Sequence, residues 1–153
     1  MTRPKIMLRK ASIRDLDNLL FWRNDPLTRE MSLVSEKVSK QNHKLWLANA
    51  LKNDHKIIYI GTFNNNSIGM CRFDIDADEK KCNVNINLNP AFRGKHLSIP
   101  FLRLSVSKFR KQFKIPIIAQ VKKINQASIK LFISCDFNKI NEDADLLYFE
   151  YFQ

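Results

Sequence analysis

Between Pro90 and Pro100 the chain reads Ala-Phe-Arg93-Gly94-Lys95-His96-Leu97-Ser98-Ile, one of only three glycines set between two cations. An apolar run with helical spacing begins at its end. A helix N-terminus offers unpaired amides and the positive end of its dipole, so a loop entering one is suited to an anion. Gly94 allows close approach of a ligand to the backbone, Arg93 and Lys95 add charge, and Ser98 is placed to cap the helix and to offer a hydroxyl. His96 lies beside the same site. The chemistry these residues suggest is the binding of a phosphorylated ligand.

The charge distribution agrees. The net charge is +11, and from Lys80 through Cys135 there is no Asp or Glu. The acids stand before this segment (Asp74, Asp76, Asp78, Glu79) and after it (Asp136, Glu142, Asp143, Asp145). A contiguous field of one sign favours a polyanionic partner, and a nucleic acid, a membrane surface and a phosphorylated cofactor all fit. A chain of 153 residues with 44% hydrophobic residues is expected to form one domain with its own core. The segment Met1–Lys10 has positive charge without the apolar core or cleavage site of a signal peptide, and a cytoplasmic protein is expected. Cys71, Cys82 and Cys135 have no metal-ligand spacing and read as reduced, buried thiols. No metal site, Gly-x-Ser-x-Gly elbow or Walker loop is present in the sequence.

The elements that must position the loop follow from periodicity. A short strand at Ile6–Arg9 precedes a helix opened by Ser12, with Asp15 placed for a capping box and Ile13, Leu16, Leu19 and Leu20 as its apolar stripe. That helix ends before Pro26. Ser39 caps a second helix whose buried side reads as Leu45, Trp46, Ala48 and Leu51. Ile57–Phe63 and Ile68–Ile75 form a hairpin about Asn64-Asn65-Asn66. Cys82–Asn89 alternates strictly, with Val84, Ile86 and Leu88 on one face and the asparagines on the other. A helix through Leu97, Phe101, Leu102, Leu104, Val106 and Phe109 follows, then a strand at 115–121, a helix at 125–134 and a strand at 146–152. Hairpins first and βα units after suggest a mixed sheet with helices on both faces.

With these elements in place, the chain resembles the GCN5-related N-acetyltransferases (GNAT). The resemblance rests on the strand ending Asn87-Leu-Asn-Pro90, the Arg93–Ser98 loop, and Asn125-Gln-Ala-Ser128-Ile-Lys-Leu-Phe132 leading to Cys135-Asp-Phe137. It is similar to the branch of ribosomal-protein and amino-sugar acetyltransferases through Trp22-Arg-Asn-Asp-Pro26 and Trp46. The resemblance implies an α/β (α+β) GNAT fold, a mixed and mostly antiparallel sheet of about six or seven strands with helices on both faces, as one domain over residues 1–153. It implies acetyl-CoA as acetyl donor, no metal, and direct attack by a primary amine. The cofactor would be held by Leu88, Asn89, Arg93, Gly94, Lys95, His96, Leu97, Ser98, Asn125, Ser128 and Phe132. His96 and Ser98 stand where the family loop has glycines, and Phe132 where many members carry a tyrosine that protonates the leaving thiolate.

Direct transfer needs a deprotonated amine and donors for the developing oxyanion. The acid-free segment places any carboxylate base outside it, and Asp74, on the face shared with Arg72, is the candidate. Tyr148 is a candidate acid, with Ser128, Ser134, Tyr151 and water as alternatives; a thiol of pKa about 8.5 is itself a tolerable leaving group. Trp22, Arg23, Asn24 and Arg72 are the candidates for acceptor binding, through stacking and phosphate pairing. Trp46 reads as core, and His43 and His55 as surface. The favoured acceptor is a nucleotide-linked amino sugar, the second a protein N-terminus such as that of a ribosomal subunit, and a homodimer is compatible with either. A non-catalytic nucleic-acid-binding module is the reading from another class, although the aromatics do not interleave with the bases.

Overall fold

The computed structural model describes residues 5–153. Strand β1 (Met7–Lys10) leads into a 3-10 turn at Ile13–Asp15 and helix α1 (Leu16–Asn24). The capping box expected at Ser12 is present: the Ser12 N–H donates to Asp15 Oδ2 at 2.8 Å. Arg9 forks onto the same carboxylate at 2.8 and 2.7 Å. Leu16, Leu19 and Trp22 form the buried stripe of α1, whereas Ile13 is exposed.

Pro26 ends α1, as expected, but it also opens another helix, α2 (Pro26–Met31), with Pro at its first position and Asp25 as N-cap. Proline suits that position because its missing N–H would be unbonded there anyway. The sequence reading has no helix here. Helix α3 (Lys40–Leu51) is capped by Ser39 as expected, yet it is rotated from the expected face. His43, Leu47 and Ala50 are buried, Leu45 is 64% exposed and Leu51 is exposed. A histidine counted as polar hid the buried stripe.

Strands β2 (Lys56–Phe63) and β3 (Asn66–Ile75) form the hairpin, with Asn64 and Asn65 both in the left-handed region at φ 50° and 63°, the conformation a two-residue turn between twisted strands requires. Strand β4 (Cys82–Leu88), helix α4 (Ser98–Gln112), strand β5 (Ile117–Lys122) and helix α5 (Gln126–Ser134) follow, then β6 (Asn138–Glu142) and β7 (Leu146–Tyr151). β6 is exposed at every residue, so no apolar alternation announced it. The sheet has seven strands in the order β1-β2-β3-β4-β5-β7-β6. All neighbours are antiparallel except β4 and β5, which are parallel. This is the mixed, mostly antiparallel sheet that the sequence implies.

Each face carries a core. Phe101, Leu102, Val106 and Phe109 of α4, with Leu131 and Phe132 of α5, cover Tyr59, Cys71, Phe73, Val84, Ile117 and Ala119. Phe73 and Phe109 stack with ring centroids 4.3 Å apart. On the other face, α1 and α3 cover Ile58, Ile60 and Met70 with Leu16, Leu19, Trp22, Leu47 and Ala50. Cys71, Cys82 and Cys135 are free and buried, as expected, and burial pushes the Cys71 and Cys82 thiols up to about 12. Leu104 of α4 and Ile133 of α5 are exposed.

Gly61 and Gly69 are register partners across β2 and β3, and together they seat the Phe101 ring. A Cβ at Gly61 would lie 2.7 Å from Phe101 Cε1; one at Gly69 would lie 2.7 Å from the Asn87 carbonyl oxygen and 3.2 Å from Phe101 Cε2. The N-terminal turn of α4 is thereby brought down onto the sheet. Gly69→Ala should destabilise the fold by about 1–3 kcal/mol, because the backbone of β4 must give way; urea unfolding measures this.

Asp15 yields a second expectation. Burial raises its pKa, but the Arg9 and Ser12 bonds outweigh burial and hold it below the ordinary carboxylate value. A depressed carboxylate stabilises above its unfolded pKa, and that stability is lost as the pH falls through the folded value. Asp15→Asn should therefore lose roughly 1–2 kcal/mol near neutrality. The gap to the parent should close on acidification below pH about 4, as followed by thermal melts across pH.

Candidate active site

β4 and β5 pair only through Cys82 with Ile117 and Asn83 with Ile118. The Asn89 N–H bonds to Ile68 O on the β3 side, whereas the Cys82 N–H bonds to Pro116 O on the β5 side. Backbone groups alternate sides with period two, so those of Ile86 and Leu88 point toward β5, beyond the last paired residues. A cleft of about 840 Å³ runs through the gap, lined by both strands, by the loop after β4 and by the first turn of α5. Gln120 of β5 reaches across it to Asn83, Nε2 to Oδ1, at 3.4 Å.

At one end lie Leu88, Arg93, Gly94, Ser98, Asn125, Ser128 and Phe132, all residues of the expected cofactor set. Gly94 is left-handed at φ 71°, with no atom within 4 Å of where a Cβ would sit. His96 is also left-handed, φ 58°, a conformation that favours glycine, so histidine there carries strain of about 1–2 kcal/mol. α4 begins without a side-chain cap: Leu97 is the N-cap, and Ser98 lies one residue inside the helix. The expectation that Ser98 caps α4 is corrected accordingly. The helix start therefore keeps its amides for a ligand. Asn125 caps α5, its Oδ1 accepting the Ser128 N–H at 3.1 Å.

Other members of the expected cofactor set serve structure. Leu97 is buried in the core. Asn89 caps the 3-10 turn Pro90–Phe92 and donates to Ser67 O at 3.0 Å. Lys95 sits over the Phe92 ring, and Lys95 and His96 are exposed on the loop. Phe132 is buried against Phe137, with ring centroids 5.0 Å apart, and its edge lines the cleft. It supplies contact and no hydroxyl. The remaining residues still fit an extended ligand with a diphosphate: free strand amides, an open left-handed turn and an uncapped helix start.

The other end of the cleft lies on the α1–α3 face of the sheet. Arg23, Thr28, His43, Trp46, Arg72, Asp74 and the Asn83, Asn85 and Asn87 ladder line it, and Leu33 and Val34 wall it on the outside. Several sequence assignments change here. Trp22 is 2% exposed and packs in the core, so it is not available to an acceptor. Asn24 exchanges two bonds with the Val38 backbone and shapes the segment before α3 instead. Trp46, read as core, is in the cleft; Arg72 lies 5.1 Å over its ring and His43 stacks on it at 5.4 Å. His43, read as surface, is 6% exposed. Burial, then the charges of Arg23 and Arg72, lower its pKa and keep the ring neutral near pH 7.

Arg23 and Arg72, the other two acceptor candidates, both line the cleft. Arg23 Nη2 donates to Val34 O at 2.8 Å. Arg23 Nη1 and His43 Nε2 are buried without a hydrogen-bond partner among the described residues. The Asp74 carboxylate is held by Lys56 Nζ and Arg72 Nε, each at 3.1 Å. Tyr148 is not a lining residue; its hydroxyl donates to Asp143 Oδ2 at 2.9 Å, away from the cleft. The asparagine ladder escaped the search for chemistry because amides neither take nor give protons. Their strict alternation was nevertheless the visible signal that one face of β4 is polar.

The GNAT acetyltransferase domain model matches residues 5–138. No curated protein matches the chain. Among solved structures, the aminoglycoside acetyltransferase AAC(6')-Ib in complex with coenzyme A is 16% identical, with 97% of this chain and 95% of that one covered at a TM-score of 0.83. Spermidine N-acetyltransferase from Vibrio cholerae, in complex with CoA and spermine, is 14% identical over 95% and 94%, TM-score 0.85. A domain from Methanocaldococcus jannaschii is 23% identical over 97% and 99%, TM-score 0.81. The domain model covers most of the chain and the solved structures share its fold, and the chain belongs to the GNAT acetyltransferase family.

Proposed function

We propose that residues 1–153 act as a single cytoplasmic enzyme domain that moves the acetyl group of acetyl-CoA to the primary amine of a nucleotide-linked amino sugar. The amides about Gly94 and the start of α4 would take the diphosphate, with Arg93 beside them. The backbone of Ile86 and Leu88 would pair with the arm of the cofactor and offer a donor to the developing oxyanion. Asn125 and Ser128 would hold the arm from the α5 side.

The acceptor class rests on one observation: Arg23, with Nη1 buried and unbonded, stands with Arg72 in a cleft whose carboxylate is already neutralised. Among the described residues, Asp74 is the sole carboxylate lining the cleft, and both its oxygens are engaged by cations. A polycationic amine would meet two arginines there, whereas a phosphate or sugar hydroxyl satisfies the orphaned donor. The asparagine ladder gives both donors and acceptors for hydroxyl groups, and Trp46 a ring face for a sugar or base. Held by Lys56 and Arg72, Asp74 acts by fixing Arg72, and the amine proton leaves through water. The wall formed by α2, Leu33 and Val34 favours a small acceptor over a protein N-terminus.

Release of free thiol from acetyl-CoA tests this. Nucleotide-linked amino sugars should be acetylated in preference to spermidine and to ribosomal-protein N-terminal peptides; a preference for spermidine overturns the reading. Arg23→Ala should raise the acceptor KM about tenfold or more while changing kcat less, the loss of a charge-assisted bond made to the bound acceptor.

A further inference from the structure

Arg93 belongs to the loop after β4, yet its guanidinium is tied to the opposite wall of the cleft. Nη2 donates to Asp25 Oδ2 at 2.5 Å and to Thr28 Oγ1 at 3.0 Å. Asp25 is the N-cap of α2, and the same Oδ2 accepts the Thr28 N–H at 3.1 Å and the Thr28 hydroxyl at 3.2 Å. Thr28 Oγ1 in turn lies 3.5 Å from Asn87 Oδ1 on β4. Further along α2, Lys122 Nζ donates to Glu30 O at 2.9 Å and Arg29 Nε donates to Ser35 O at 3.0 Å. One ion pair therefore joins the turn facing the diphosphate end to the helix that walls the acceptor end.

Two anions compete for this guanidinium. The Asp25 side chain is 17% exposed, so a carboxylate left there without its arginine is short of compensation. A diphosphate carries more charge than a carboxylate and takes a planar fork well. We propose that the Asp25–Arg93 pair is a latch between the two halves of the cleft: an arriving diphosphate draws Arg93 off Asp25 and frees one end of α2. Asp25 is then a positioning residue, and the acceptor half becomes able to admit its amine after the donor has bound. The proposal rests on the reading of the Gly94 turn as the diphosphate site.

Calorimetry with coenzyme A on the full chain tests it through a double-mutant cycle. Asp25→Asn keeps an N-cap acceptor but removes the charge that holds Arg93, and should tighten coenzyme A about three- to tenfold. Asp25→Ser, also a good cap, should act in the same direction. Either gain should vanish in an Arg93→Gln background. Amide hydrogen exchange across residues 26–31 of the parent should quicken when coenzyme A is added. The latch is overturned if the gain persists without Arg93, if neither substitution tightens binding, or if exchange in α2 is unchanged or slowed. Failure of the parent to bind coenzyme A at all would instead remove the diphosphate reading, and the latch with it.

Discussion

The separation of β4 from β5 governs the rest of this molecule. Interior strands in a sheet ordinarily spend their backbone groups on both neighbours. Here the parallel pair holds for two residue pairs, after which β4 continues on β3 and β5 on β7. The amides and carbonyls of Ile86 and Leu88 are left facing a gap, and oriented backbone donors there are what the proposed ligand would use. Its depth depends on α4, whose first turn is brought onto the sheet by Phe101 seated over Gly61 and Gly69. A side chain at either glycine would lift the helix start that the ligand end of the cleft requires.

Electrostatics divide the labour along that gap. The acid-free segment builds the Gly94 end of the cleft, a composition that favours anions. The other end carries carboxylates nearby, but each is matched to cations: Asp74 to Lys56 and Arg72, Asp25 to Arg93. Arg23 Nη1 and His43 Nε2 are buried beside these pairs without a hydrogen-bond partner among the described residues. Buried donors without partners are uncommon in folded proteins, and in a cleft they mark where a ligand's polar atoms are expected.

Much of the fold was legible because local rules operate without reference to the rest of the chain. Ser12 with Asp15, Ser39 and the alternation from Cys82 each act within a few residues, and each is where the sequence places it; the turn expected over Asn64–Asn66 is made by Asn64 and Asn65, with Asn66 already in β3. Pro26 shows the limit: the same residue signals a helix end and a helix start, and the N-cap bond from Thr28 to Asp25 decides for both. β6 was silent because an exposed edge strand needs no apolar face. For the candidate site, the loop is legible in its glycine and flanking cations, and the Asn125 helix only through the resemblance to the family. Trp22, the acceptor candidate, is in the core, and Trp46, read as core, packs against that core and also lines the cleft, since sequence spacing does not fix how a helix is rotated on the sheet.

The sequence by itself determined all the elements but α2 and β6, the glycine and cations of the Arg93–Ser98 turn, and the resemblance to the family, because capping, periodicity and charge are properties of short stretches. Tertiary structure alone decided which tryptophan meets the cleft, that His43 is buried and neutral, and that Arg93 reaches Asp25 across 68 positions of chain. The rotation of a helix about its axis, and the partner chosen by a charged group, follow from how α1, α2 and α3 settle on the sheet. That settling is a balance of packing among residues distant in sequence, and no local pattern encodes it.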